Sequence, residues 1–219
     1  LFFLDNHHGI NKKNKVIFEN RDDLNYFLRL GALRKEDSCI IRGAGVKIKK
    51  LRPKKSLSKL ITVTVISRMI KDKGIYEFIS AARDLKKENP ETRFLLAGDI
   101  DPQNPSSLKR ETLINWNNEG IIEWLGWVDD IEKLLLETDI VCLPSYREGL
   151  PKALLEGAAF GLPIVTTDTV GCRDVVKDGV NGYLFCNRDY EALELIINKI
   201  ISNKNENKKI AMAGRKLIE

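Results

Sequence analysis

Glu148 and Glu156 stand eight positions apart in "YREGLPKALLEGAAF" (146–160), and Arg68 and Lys73 stand five apart in "SRMIKDKG" (67–74). Pro151 favours a helix start, so Glu148 precedes the helix and Glu156 lies a turn and a half inside it. Gly149 and Leu150 fall at the helix mouth, where backbone N–H groups have no intrahelical partner. On one ideal helix the two carboxylates would be about 12 Å apart along the axis, so they would grip different parts of an extended ligand. Carboxylates accept hydrogen bonds from vicinal hydroxyls, whether of a ribose or of a sugar ring. Arg68 and Lys73 flank a turn before a second helical pattern. Two cations beside a helix N-terminus suit a diphosphate.

Plainer readings exist for each. Arg68 and Lys73 could pair with Asp72 or Glu77 as ordinary surface charges. Glu148 could be a solvated loop charge. Glu156 sits among Leu154, Leu155 and Ala158, which implies partial burial and so a need for a partner.

These residues need a scaffold that brings separate loops to one place. Apolar or β-rich runs at 15–18, 38–43, 60–67, 93–99, 121–127, 139–144, 163–167 and 182–185 read as strands. Helical patterns fall at 21–31, 74–88, 106–120, 130–138, 151–160, about 190–202 and about 206–218. The helix at 106–120 is expected to start from a serine cap, and those at 21–31 and 106–120 to stop at Gly31 and Gly120. The run "LITVTVIS" is continuously apolar, as in a strand buried on both faces. Alternating strands and helices predict an α/β fold, a Rossmann-like parallel sheet with helices on both faces. Ligands bind such sheets at the carboxyl ends of the strands. The loops there carry Arg68 and Lys73, Gly98-Asp99, Gly126, "SYREGLPK" and "DTVGCRD". The opposite edge is ordinary polar connector.

With 219 residues, the chain has room for one large domain, or for one domain and part of another. Its net charge of +5 is mild, but Lys47, Lys49, Lys50, Arg52, Lys54, Lys55 and Lys59 form a run without an acidic residue. That run reads as a solvated linker, with footing on an anionic membrane surface as the alternative. No aromatic residues interleave with it, which argues against nucleic acid. The four cysteines show no Cys-x-x-Cys pairing, so a reducing compartment and no zinc site are expected. No apolar run reaches about 18 residues, and no signal peptide is visible. The chain opens at Leu1 without a methionine and closes inside a helical pattern, so a piece of a longer protein is expected.

The stretches "EGLPKALLE", "ISRMIKDKG" and "GLPIVTTDTVGCRDVVKDGVNGYLF" together closely resemble the family-4 retaining glycosyltransferases of GT-B fold (glycosyl transferases group 1). The resemblance runs in order from about Val16 to the C-terminus. "VIFENRDDLNYFL" resembles the last part of the family's N-terminal domain, and "IIRGAGVKIKKLRP" its crossing into the donor domain. The resemblance implies an N-terminal (acceptor) domain tail and linker at 1–52. It implies a C-terminal nucleotide-sugar domain, truncated at its C-terminus, at 53–219.

Carried over position by position, Arg68 and Lys73 would hold the donor diphosphate and Glu148 the donor-sugar hydroxyls. Gly149 and Leu150 would offer backbone N–H groups. Glu156 would hold the ribose, and Leu125 and Gly126 would border the base, with Gly98 on the same donor-binding edge. No metal and no cofactor is implied, because cations and a helix terminus take the leaving-group charge. The partners implied are a nucleotide-diphosphate sugar, most simply a UDP-sugar, and a glycan or lipid-linked acceptor in capsule or lipopolysaccharide assembly. A cytoplasmic location is implied, with peripheral contact to the inner face of the membrane. Ser67, Ile100 and Asp174 depart from the family's usual glycine, glycine and glutamate. His7 and His8 read as polar surface residues rather than catalytic ones, and most of the N-terminal domain is missing, so the fragment alone is expected to be inactive. The alternatives are a sugar-nucleotide epimerase or a phosphorylase of the same fold, or a truncated binding module without activity. A glycoside hydrolase is weaker. It needs two carboxyl groups about 5–10 Å apart across the scissile bond, and a helix mouth better suits an anionic leaving group.

Overall fold

A computed structural model describes residues 15–43, 45–46 and 60–218. The basic run, the two histidines and the expected 52/53 boundary lie outside the described residues.

The chain forms two parallel sheets. In the smaller, β1 (Val16–Phe18) pairs with β2 (Ser38–Ile40), and α1 (Arg21–Arg29) connects them. Phe18 is buried and meets Phe27 of α1 at 5.6 Å between ring centroids. Asn20 caps α1 by accepting from the Asp23 N–H at 2.8 Å, the usual way of satisfying one of the helix's free donors.

The larger sheet has six parallel strands in the order β5-β4-β3-β6-β7-β8. They are β3 (Thr62–Ile66), β4 (Arg93–Ala97), β5 (Glu123–Gly126), β6 (Ile140–Leu143), β7 (Ile164–Thr167) and β8 (Tyr183–Phe185). The helices between them are α2 (Ile75–Glu88), α3 (Arg110–Asn118), α4 (Ile131–Glu137), α5 (Lys152–Ala159) and the short α6 (Cys172–Val175). Helices α7 (Tyr190–Ser202) and α8 (Lys204–Ile218) complete the chain. Successive strand side chains point to opposite faces. Val63, Val65, Ile140 and Cys142 therefore pack with Phe78, Ile79 and Leu85 of α2 and Leu193 and Ile197 of α7. Val141, Leu143 and Ile164 pack on the other face with Leu154 and Ala158 of α5. Each fully buried aliphatic or aromatic side chain contributes about 1.5–3 kcal/mol, so both faces hold the sheet strongly. Thr64, facing away from α2, is completely buried, and its hydroxyl pairs with that of Thr138 at 2.8 Å.

The expected α/β fold is the observed one. Three local expectations differ. The helix read at 106–120 begins only at Arg110 and has no side-chain cap. The loop after β3 takes the backbone before it instead. Lys71 N–H donates to the Ser106 carbonyl at 2.8 Å, and Leu108 N–H to Met69 at 2.9 Å. Pro151 is the cap of α5, not its first residue, because its ψ of 108° is extended. The "GCRD" stretch, read as loop, holds the single turn of α6.

The four cysteines fall into different environments. Burial pushes the Cys142 and Cys172 thiols above their ordinary range, while Cys186 is exposed. Reactivity depends on thiolate formation and access. Titration of the native chain with a thiol reagent at neutral pH is therefore expected to modify Cys186 first. Cys142 and Cys172 should respond only after denaturant is added.

Candidate functional site

The strand order reverses between β3 and β6: the chain runs from β3 outward through β4 and β5, and from β6 outward through β7 and β8. In open parallel sheets the crevice lies at that reversal, outside the carboxyl ends. The loops after β3 and β6 are therefore neighbours, and they carry Lys73 and Glu148.

Lys73 closes a 3-10 turn, Lys71–Lys73, that ends at Gly74. Gly74 has φ +67°, and a Cβ there would collide with the Pro144 carbonyl. Only glycine fits both the conformation and the close approach. Tyr146 N–H donates to the Asp72 carbonyl at 2.8 Å, and Ser145 Oγ reaches the same oxygen at 3.2 Å. Beside them the Tyr146 hydroxyl donates to Glu77 Oε1 at 2.8 Å. Burial first, and then that hydrogen bond, push the Tyr146 phenol up to about 12, so it stays a donor. Arg188 covers the Tyr146 ring at 4.7 Å.

The two loops so joined bring Lys73 Nζ to 2.5 Å from Glu148 Oε1, with side chains only 16% and 13% exposed. Arg68 pairs with Asp101 at 2.6 Å and remains 59% exposed. Glu156, 16% exposed, pairs with Lys152 one turn back on α5 at 3.0 Å. The simple surface pairing of Arg68 and Lys73 with Asp72 or Glu77 does not occur. Ser106 Oγ donates to Asp72, and Glu77 holds Tyr146.

Arg68, Lys73, Gly98, Glu148 and Glu156 all line one cavity of about 620 Å³. That volume suits an extended small-molecule ligand. Gly98 lies where β4 ends. Its N–H donates to the Gly126 carbonyl at 2.7 Å, and its carbonyl accepts from Trp124 Nε1 at 2.9 Å. Gly126 supports this turn, but neither it nor Leu125 lines the cavity. Trp127, Val128 and Asp129 do. Gly149 lines a second, adjoining cavity instead. Leu150 lines neither, and its side chain packs toward Gly43. Sequence reasoning missed Trp127, which is 73% exposed with its Nε1 donating to Asp129 at 2.7 Å. The available signal was an aromatic residue just beyond a strand on the binding edge.

Chemically the wall offers cations, hydroxyl-accepting carboxylates and a partly apolar end. Lys73 has three N–H donors and uses one on Glu148, and Arg68 has five in a planar fork. Among the described residues, no group of three or more His, Cys, Asp or Glu is placed to hold a metal ion.

Residues 47–217 match the sequence profile of the family described as Glycosyl transferases group 1. The chain belongs to this family. It is 34% identical over 182 residues to the N,N'-diacetylbacillosaminyl-diphospho-undecaprenol alpha-1,3-N-acetylgalactosaminyltransferase of Campylobacter jejuni, covering 77% of this chain and 46% of that protein. It is 24% identical to the capsular polysaccharide biosynthesis glycosyltransferase CapM of Staphylococcus aureus, covering 75% and 43%. The chain thus spans under half the length of these relatives. Among solved structures, Anabaena Alr3699/HepE in complex with UDP and glucose superimposes with a TM-score of 0.80 at 24% identity, over 94% of this chain and 58% of that one. The C-terminal domain of the group 1 glycosyl transferase LpcC from Francisella tularensis gives 0.69 at 24%, over 80% of this chain and 96% of that domain. The larger sheet and its helices are therefore the C-terminal domain of a GT-B fold.

The Lys73–Glu148 pair is poorly solvated, so removing one partner strands the other charge. Lys73→Met and Glu148→Gln are each expected to cost about 1–3 kcal/mol of stability in urea unfolding. The double variant should lose clearly less than the sum, because the residues are coupled.

Proposed function

We propose that this chain is the donor-binding part of a retaining glycosyltransferase. It moves a hexosyl or N-acetylhexosaminyl group from a UDP-sugar to a glycan or lipid-linked acceptor in surface polysaccharide synthesis. The observation that carries the reading is the gathering of Arg68, Lys73, Glu148 and Glu156 onto one cavity wall at the strand reversal. The named relatives in lipid-linked glycan and capsule synthesis support the acceptor class.

Glu156, on the α5 flank, accepts from the ribose hydroxyls, and Trp127 and Val128 border the base. The diphosphate lies against Arg68 and Lys73, displacing Asp101 and Glu148 as their counter-ions. Glu148, released from Lys73, accepts from the sugar hydroxyls, and Gly149 offers its N–H nearby. As the bond to the anomeric carbon breaks, negative charge grows on the leaving phosphate. Fixed cations stabilise that charge more than the ground state, which is the condition for rate enhancement. No metal is required for this arrangement. The acceptor approaches from the side of the leaving group, and the leaving oxygen takes its proton, which retains configuration. The catalytic assembly needs the rest of an N-terminal domain, so the chain alone binds donor without turnover. Among the described residues no helix is long and apolar enough to cross a membrane. The basic run at 47–59 provides peripheral footing on the inner face of the membrane.

Calorimetric titration with UDP, GDP, ADP and uridine, without metal, tests the reading. UDP is expected to bind much more tightly than uridine and than the other diphosphates. Arg68→Ala and Lys73→Ala should each weaken UDP about tenfold or more and leave uridine unchanged, as expected for lost charge-assisted contacts. Glu156→Gln should weaken both. Absence of UDP binding by the wild-type chain would remove the proposal's basis.

A further inference from the structure

The first cavity shares a wall with the second, of about 730 Å³, which lies between β1 and the segment after β6. Arg68, Lys73 and Glu148 line both cavities, while Glu156 lines only the first. Glu19 lines only the second.

The placement of Glu19 is built rather than incidental. Phe18 is buried, so the next side chain turns the other way. Asn20 comes after it, only 1% exposed. Its Nδ2 donates to the Gly149 carbonyl at 3.0 Å while its Oδ1 caps α1. Asp23, one turn on, pairs with Arg147. These contacts fix the backbone of the smaller sheet against the loop that carries Glu148. The Glu19 carboxylate then lies between two glycines. A Cβ on Gly149 would overlap Glu19 Oε2, and one on Gly43 would stand 3.9 Å from Oε1. Among the described residues, no hydrogen bond or ion pair engages Glu19. Its side chain is exposed and lines the second cavity.

A nucleotide sugar laid along this site has one direction. The ribose sits by Glu156 in the first cavity, and the diphosphate sits at the shared cations. The sugar attached beyond the diphosphate must therefore enter the second cavity. We propose that Glu19 accepts hydrogen bonds from hydroxyls of the transferred glycosyl group, and so helps select it. This rests on the donor-site reading under Proposed function. A carboxylate with unused lone pairs suits a polyol and gives nothing to the nucleotide half of the ligand.

The test is calorimetric titration of the wild-type chain, Glu19→Ala and Glu19→Gln. The ligands are UDP, UDP-glucose, UDP-galactose, UDP-N-acetylglucosamine and UDP-N-acetylgalactosamine. In Glu19→Ala, UDP should stay within about twofold of wild type while the best UDP-sugar weakens about tenfold or more, the scale of a lost charged hydrogen bond. Glu19→Gln should fall between. Unchanged UDP-sugar binding in Glu19→Ala would overturn the inference. So would an equal fall for UDP and UDP-sugars, which marks a structural role. So would a wild-type chain that binds UDP but gains or loses nothing from any attached sugar. A wild-type chain that does not bind UDP at all removes the donor-site reading, and the inference falls together with it.

Discussion

The contact between the turn Lys71–Lys73 and the segment 144–148 decides what the rest of the site can be. Two donors converge on the Asp72 carbonyl, and Gly74 passes so close to the Pro144 carbonyl that no side chain fits. Tyr146 and Glu77 close the same seam from the α2 side. Because β3 and β6 are neighbours in the sheet, the seam joins segments 75 residues apart and sets Lys73 against Glu148. Loosening it would part a cation from a carboxylate in a place where neither is well solvated, at a cost of about 1–3 kcal/mol. The seam and the ion pair therefore stabilise each other.

A second joint sets the extent of the site. Through Asn20 and Asp23 the smaller sheet is held to Gly149 and Arg147, two residues in the loop that bears Glu148. One loop thus answers to three bodies: the β3 turn, the β6 strand end and the smaller sheet. The two cavities meet there. Displacement of the smaller sheet would be felt at Glu148 through its immediate neighbours on both sides, a short and stiff path.

Much of this was legible in the sequence. The runs that became β3, β6 and β7 are apolar enough to be buried on both faces, and the α2 pattern keeps one face for the core. Those runs set the sheet type, and with it the edge on which to look. Arg68, Lys73 and Glu148 could be read as candidates from charge and spacing at strand ends, and Glu156 from its place on the helix that follows. The features that stayed hidden depend on contacts between distant segments. Nothing local says that residues 106–108 will pair with the loop after β3 and so delay α3 to Arg110. The pairing of Tyr146 with Glu77 spans 69 positions. Glu19 looks like any polar residue after a short strand until Gly149 and Gly43 are placed beside it.

Two ion pairs of the site differ in a way that bears on how an anion would bind. Arg68–Asp101 is largely exposed and Lys73–Glu148 is not. Exposed pairs are worth about 0–1 kcal/mol, so Arg68 gives up Asp101 at little cost. Lys73 gives up Glu148 only if something of equal charge replaces it at once, because an interval with both groups bare is expensive in a poorly solvated wall. On the donor-site reading, a diphosphate is held first by Arg68 and then exchanged onto Lys73. On that reading, the exchange would free Glu148 to meet the sugar. The same carboxylate would thus serve as the counter-ion of Lys73 and as a contact for the substrate. A ligand lacking the diphosphate could not drive the exchange, so on that reading selection for the nucleotide sugar would lie in the Lys73–Glu148 pair as much as in the shape of the cavity.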